Sequence, residues 1–436
     1  MGSNDLPTTL HNEQLLDLAR QSGAQHAEVY RSRSLSRPVF FEANRLKQLE
    51  SSQAEGVALR LWRDGRPGLA VAYGPVEPKN LVDRAIAMTA LNAPEPVELA
   101  EARTDYYPDL GETVPVEELV AMGKEAIAQV RDAYPEVLCT AELECEEETT
   151  HLINSLGLDC HYTDTTLSCF LAAEWVRGED FLSVSDGEIQ RSSLNPQKVV
   201  QQILQRLSWA KKNVSPPASR VPILLTAKAA DLLWDTVQGA LNGKQVLDGA
   251  SPWSDRLTQV VTSDSLTLFQ QPDRGPYSCP FDDEGTPTQP LLFIREGRLQ
   301  QFYCDRTTGR LLGTGTTGSG FRPGMGSYPT PGMVNLLIQP GRGSLCDLIG
   351  QLDEGLVVDQ LLGGGAGISG EFSVNVELGY RVQNGQITGR VKDTMIAGNV
   401  YTVLKQLVAL GDDADWNGPC YTPSLIVEGI STTGRT

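Results

Sequence analysis

The sequence predicts an α+β protein of two domains: an N-terminal domain that mixes helices with antiparallel hairpins, and a β-rich C-terminal domain. Three observations carry this prediction. The chain has 436 residues, more than one hydrophobic core usually organises. Its 42 glycines and 26 prolines supply the turns that a strand-rich chain needs. Strand-like runs sit close together on either side of short Asp-Gly, Glu-Gly and Asn-Gly turns, which favours antiparallel pairing over a doubly wound parallel sheet.

From the N-terminus, Leu15, Leu16, Leu18 and Ala19 share one face of a helix over residues 13–21, and Gly23 ends it. Val57–Trp62 and Leu69–Tyr73 flank Asp64-Gly65 as a hairpin. Helices are predicted over residues 80–91, with Leu81, Ala85 and Met88 in register, and over 116–130. Residues 140–147 alternate apolar with acidic side chains, the pattern of a half-exposed strand. Residues 181–190 read as strand with a turn at Asp186-Gly187. A helix over 196–211 leads into Asn213-Val-Ser-Pro-Pro-Ala-Ser-Arg220, a Pro/Ser stretch that sets the boundary between domains at 1–215 and 221–436. Beyond it come a short apolar strand, Val221–Leu225, and a helix over 227–241 that Thr226 can cap. The remainder is β-rich. Leu291–Ile294 and Leu299–Tyr303 bracket Glu296-Gly297. Phe372–Val382 and Gln386–Val391 bracket Asn384-Gly385, the strongest hairpin signal in the chain.

Charge and composition exclude several classes of function. A formal net charge of −19 disfavours nucleic acid and anionic membrane surfaces, which both need a basic face. No apolar run reaches the ~18 residues of a membrane-spanning helix, and Met1–Leu10 lacks the basic-then-apolar pattern of a signal peptide. A cytoplasmic protein is expected. The eight cysteines are scattered without a Cys-x-x-Cys pair and read as reduced, buried thiols.

The motifs are weak one by one. Gly313-Thr-Gly-Thr-Thr-Gly318 fits Gly-x-Gly-x-x-Gly, but the prolines at 323, 329 and 331 prevent the helix that would hold a pyrophosphate, so a loop is expected. Gly363–Gly370 is a second glycine cluster, suited to tight turns or to the close approach of another backbone. The run Asp282-Asp283-Glu284-Gly285 lacks the ligand alternation of a calcium loop and reads as a turn. There is no Gly-x-Ser-x-Gly. Only His11, His26, His151 and His161 occur. None precedes a glutamate, so a zinc-peptidase helix, with two histidines and a glutamate on one face, cannot be built.

Taken in order, several runs resemble the TldD/PmbA family, once described as modulators of DNA gyrase. These are Gly23-Ala-Gln-His-Ala-Glu-Val29, Leu46–Ser52 with Gly56–Arg60, and Pro280-Phe-Asp-Asp-Glu-Gly-Thr-Pro-Thr288 with Tyr303-Cys-Asp305. Gln339-Pro-Gly341, Gly370-Glu-Phe-Ser373, Gly379-Tyr380 and Ile396-Ala-Gly-Asn399 complete the set. The resemblance implies a peptide-processing context. It also implies that zinc-bearing members carry His-Glu-x-x-x-His on the helix that here reads Ala229-Ala-Asp-Leu-Leu-Trp-Asp235, together with a C-terminal cysteine in the region of Cys420. Here Asp231 and Asp235 stand one turn apart with no histidine, a poor zinc site. The chain therefore resembles the PmbA (TldE) branch. The expected role is a non-catalytic subunit of a metalloprotease system, without metal or cofactor, paired with a TldD-type zinc-bearing subunit. The alternative is a self-paired peptide-binding protein or a hydrolase that uses no zinc. A peptide-binding edge is expected at Gly367, Ser369, Gly370, Glu371, Phe372 and Ser373, where an extended peptide could add as a strand.

Overall fold

The computed structural model describes residues 12–217, 220–363 and 365–434. The first ten residues, read above for a signal peptide, lie outside that range, as does Gly364 of the second glycine cluster. Among the described residues no helix is long and apolar enough to cross a membrane.

The N-terminal half is built on one eight-stranded sheet. Its central strands are long: His26–Glu42, Leu138–Asn154 and Leu158–Arg177. The last two form a hairpin whose register runs from Leu138↔Glu174 to Ile153↔Asp159. Ser52–Arg63 and Arg66–Tyr73 pair around Asp64 and Gly65, both at positive φ, as the Asp-Gly turn predicts. Helices Val116–Ala133 and Pro196–Trp209 cover one face. They bury alternate strand residues, Leu143, Cys145, Leu167, Cys169 and Leu171 among them. Gly123 lets the first of these helices lie close, since a Cβ there would stand 2.3 Å from the Phe41 ring.

In the C-terminal half, a nine-stranded and a six-stranded sheet enclose the helix Asp231–Leu241. Leu232, Leu233, Trp234, Val237, Ala240 and Leu241 are buried in a core that also holds Val358, Phe372 and Val374 from one sheet and Phe293, Leu336 and Cys420 from the other. Trp234 spans this core, and its Nε1 donates to Thr422 Oγ1 at 2.7 Å. The turns at Glu296-Gly297 and Asn384-Gly385 form as expected, with both residues of each at positive φ.

Four sequence expectations change in detail. Asp186-Gly187 is not a turn. Asp180–Gln190 runs straight through it, and the hairpin closes at Gly178 instead. A tertiary ion pair overrides the local turn preference: the Asp186 carboxylate is drawn inward to Arg206. The helix expected from residue 227 begins at Asp231, and Thr226 does not cap it, because its hydroxyl donates to Asp359 O. The strand expected over Leu299–Tyr303 shrinks to Arg298–Leu299. Finally, Asn213–Val214 are not free linker: they pair with Arg390 and Val391 in the nine-stranded sheet.

The acidic run is one of the places where the halves meet. The Asp282 carboxylate accepts the backbone N–H groups of Glu284, Thr286 and Gly320 at 3.1, 2.8 and 2.8 Å, and that of Asp283 accepts Arg322 N at 2.7 Å. Arg322 then reaches Glu28 of the N-terminal sheet at 2.9 Å, and Arg60 joins the same carboxylate at 3.1 Å. This run is a structural turn, as its sequence suggests, and it fastens one half to the other.

Candidate functional site

The helix Asp231–Leu241 buries its apolar side and turns Asp231 and Asp235 toward a cleft. Residues 227–230 make an irregular turn before it, which places Lys228 at the cleft floor. Two cavities open there. One, of 460 Å³, lies between the N-terminal sheet and the C-terminal half, with Phe170, Asp186, Tyr277 and Trp416 in its walls. The other, of 210 Å³, is lined by Asp231, Asp235, Leu361, Gly363, Gly365 and Val374. Lys228 borders both. Its ammonium donates to Ser185 O and lies 3.5 Å from Asp186, so it is drawn toward the N-terminal sheet.

Asp231 accepts Asn417 Nδ2 at 2.6 Å. Burial, with the charge of Asp235 behind it, pushes the Asp231 carboxyl up to about 7. Burial raises Asp235 as well. Asp235 has neither a hydrogen-bond nor an ion-pair partner among the described residues. Cys420, 3% exposed, is close enough for both carboxylates to act on it. Burial first, and those two charges second, hold its thiol well above the usual range, so it is a neutral thiol and not a thiolate.

These residues do not fit a zinc ion. The donor set has two carboxylates, one of them readily protonated, and a thiol that resists ionisation. Among the described residues no imidazole stands nearby, and no three His, Cys, Asp or Glu side chains converge as ligands. His151 and His161 face each other across a hairpin in the N-terminal half, with ring centroids 5.9 Å apart. His151 is held by Asn12 and Asp159, at 2.9 and 2.8 Å.

The six residues singled out as a peptide-binding edge fall in two groups. Gly367, Ser369 and Gly370 belong to a loop that is partly pinned down. Thr236 donates to Ala366 O, Tyr401 to Ile368 O and Asn399 to Ser369 O, at 3.1, 2.7 and 3.0 Å. Glu371, Phe372 and Ser373 begin the strand Glu371–Gln383. The Phe372 side chain is in the core, and Glu371 accepts Asn399 Nδ2 at 2.9 Å.

Among the described residues, the start of this strand has no backbone partner on one side. Val400 N donates to Gly370 O, and the register continues through Phe372↔Gly398 and Val374↔Ile396. In an antiparallel ladder this alternation turns the N–H and C=O of Glu371 and Ser373 the other way. There the neighbouring strand Glu354–Leu362 ends at the pair Leu362↔Asn375, and no described strand continues beside Glu371–Val374. The open edge lies beside the smaller cavity, which Val374 lines. Sequence reading had noted Asp231, Asp235 and Cys420. It missed Lys228, Tyr277 and Trp416, whose convergence depends on long-range packing that no local pattern signals.

Comparison with known proteins bears on this geometry. Residues 218–434 match the PmbA/TldA metallopeptidase C-terminal domain, 27–89 its domain 1 and 109–211 its central domain. A metalloprotease TldD homolog of Haemophilus influenzae is 31% identical over 241 residues, which cover 54% of this chain and 48% of that protein. The chain thus spans about half the length of that relative. The crystal structure of TldE from Thermococcus kodakarensis superposes with a TM-score of 0.89 at 24% identity, covering 97% of this chain and 99% of that one. A Thermotoga maritima protein described as a proposed modulator of a DNA gyrase gives 0.86 at 25% identity, with the same coverage.

Proposed function

This chain belongs to the PmbA/TldD metallopeptidase family, and from that premise we propose that it is a zinc-lacking, non-catalytic subunit that pairs with a zinc-bearing sister to process peptides in the cytoplasm. One observation carries the reading. On the helix where the resemblance places a His-Glu-x-x-x-His motif, the cleft receives Asp231 and Asp235 instead, and among the described residues no third ligand completes them. Two cavities and a strand start without a described neighbour on one side lie beside these carboxylates, which suits holding a peptide more than cleaving it.

In this reading the chain's own residues act by positioning. The backbone groups of Glu371 and Ser373 offer hydrogen bonds to an extended segment, and the glycines of residues 363–370 leave room for its approach. Strand addition of this kind draws affinity from main-chain bonds and so tolerates varied sequences. Cleavage belongs to the sister subunit.

Co-expression with a zinc-bearing sister, followed by size exclusion and peptidase assay, tests the proposal. Co-elution of the two chains, with chelator-sensitive activity that this chain lacks alone, is expected. Chelator-sensitive proteolysis by this chain alone, or a monomer that ignores the sister, would contradict it.

A further inference from the structure

We propose that the larger cavity, between the N-terminal sheet and the C-terminal half, is a pocket for an aromatic side chain of a bound peptide, with Phe170, Tyr277 and Trp416 as its ring-binding walls. This rests on the reading of the chain as a peptide-holding subunit.

The rings are built into place from both halves. In the strand Leu158–Arg177, Cys169 and Leu171 point into the core, so Phe170 between them points out from the opposite face. It is 47% exposed, and its cross-strand partner is Gly187. A Cβ at Gly187 would stand 3.2 Å from the Phe170 ring, so the ring rests over bare backbone in the cavity wall. The C-terminal half supplies Tyr277 and Trp416, with ring centroids 5.6 Å apart, and Tyr421 extends the row 5.2 Å from Trp416. Arg274 caps it, 4.7 Å from the Tyr421 ring centroid. Gly275 admits the indole, since a Cβ there would stand 2.1 Å from Trp416 Cζ2. Rings that face a cavity instead of a packed core leave apolar area for an incoming apolar group to cover.

The charges in the wall favour a neutral occupant, because each is already engaged. Lys198 neutralises Asp415 at 2.6 Å. Ser424 binds both oxygens of Asp413 through its N–H and its hydroxyl, at 3.0 and 2.7 Å. Asn195 N donates to Glu188. Arg206 and Lys228 share Asp186, and Arg206 also holds Asp359. An ionic occupant would leave water without an unmatched partner in this wall, whereas a ring needs none.

Size and place agree with this occupant. The cavity holds 460 Å³, within the ~300–1,000 Å³ of pockets that enclose small ligands, and such pockets favour the junction of two structural units. Lys228 borders this cavity and the smaller one. A side chain anchored here would leave the adjoining residues of the peptide near the helix Asp231–Leu241, where the resemblance places the motif of zinc-bearing members.

The test is calorimetric titration of the full chain with short peptides, acetylated and amidated at their ends, that differ only at one central residue: phenylalanine, cyclohexylalanine, alanine or lysine. The phenylalanine peptide should bind about tenfold or more tighter than the alanine one, from the apolar area covered. It should bind about three- to tenfold tighter than the cyclohexylalanine one, from ring contact. Lysine should gain nothing over alanine. Phe170→Leu, on an exposed strand face, should keep its melting temperature and lessen the preference for phenylalanine over cyclohexylalanine. The Phe170→Leu, Trp416→Leu double variant should abolish it. Where the double variant fails to fold, the single one decides, and a preference it leaves unchanged would overturn the proposal. Equal binding of the phenylalanine and alanine peptides, or a gain for lysine, would overturn it too. Equal binding of phenylalanine and cyclohexylalanine would overturn recognition of the ring. Binding of no peptide would overturn this proposal and the peptide-holding reading together, whereas co-elution with a zinc-bearing sister reports on pairing alone.

Discussion

Arg206 and Asp359 form a buried two-point contact: the arginine Nε lies 2.9 and 2.8 Å from the two carboxylate oxygens. The guanidinium also meets Asp186 at 2.9 Å, so one cation from the helix Pro196–Trp209 holds carboxylates from both halves of the chain. Tyr380 donates to the Arg206 carbonyl from the nine-stranded sheet at 3.2 Å. Arg206 also lines the larger cavity, which makes this network the rigid back wall of the cleft. Removing one member leaves buried charge without a counter-charge. Arg206→Ala should destabilise the chain by about 3–5 kcal/mol. Urea denaturation followed by circular dichroism checks this. A loss within error of zero would mean that the pair contributes nothing net.

The fastening between halves depends on a glycine. Gly285 has φ +73°, and a Cβ there would stand 2.4 Å from Leu158 of the N-terminal sheet. Gly285→Ala should therefore cost about 1–3 kcal/mol, from overpacking and from the left-handed backbone together. Limited proteolysis should show the contact between the halves loosening first. A melting temperature equal to that of the unaltered chain would show that the junction yields without strain.

Stability should depend on pH in a defined direction. Burial, then Asp235, raises the folded Asp231 carboxyl to about 7, while an unfolded aspartate titrates near ~3.9. Between these values the folded state holds more protons than the unfolded one, so stability falls as pH rises from about 4 to about 7 and then levels off. Burial also pushes Asp164 and Asp283 up to about 6, in the same direction. Asp231→Asn should lessen the decline, so its melting temperature should gain on the unaltered chain between pH 5 and pH 8, a window set by the shift to about 7. Parallel melting curves for the two proteins across that range would contradict the assignment.

The open edge can be closed without disturbing the core. Ser373→Pro removes one N–H from the free side, and proline is tolerated at a strand edge where no ladder bond is lost. Peptide capture should fall about tenfold, the loss of roughly one or two main-chain bonds, with little change in stability. Capture unchanged by this variant would exclude strand addition at this edge. A substitution at Gly370 is a poorer probe. Its φ is +81°, and a Cβ would stand 2.7 Å from the Tyr401 ring, so Gly370→Val should disturb the fold itself.

Much of this was legible in the sequence because it is local. The paired glycine turns at 64–65, 296–297 and 384–385 announced their hairpins, since only a few residue types occupy positive φ readily. The apolar register of residues 116–130 announced a helix. Asp186-Gly187 misled for the complementary reason. Its turn signal is local, but its conformation is set by Arg206, which is far away in the chain but adjacent in space. The site divides in the same way. The missing His-Glu pair could be read directly. The placement of Lys228, Tyr277 and Trp416 around one cleft could not, because three separate segments must fold before they meet.

The central claim is that this chain brings a cleft but no metal to a two-subunit peptidase. Native mass spectrometry of the chain co-expressed with a zinc-bearing sister tests it most directly, because mass reports both pairing and metal content. The account predicts a complex of one copy of each chain carrying a single zinc ion that stays with the sister when the subunits are separated. Zinc retained by this chain after separation, or two chains that fly as unassociated monomers, would contradict it.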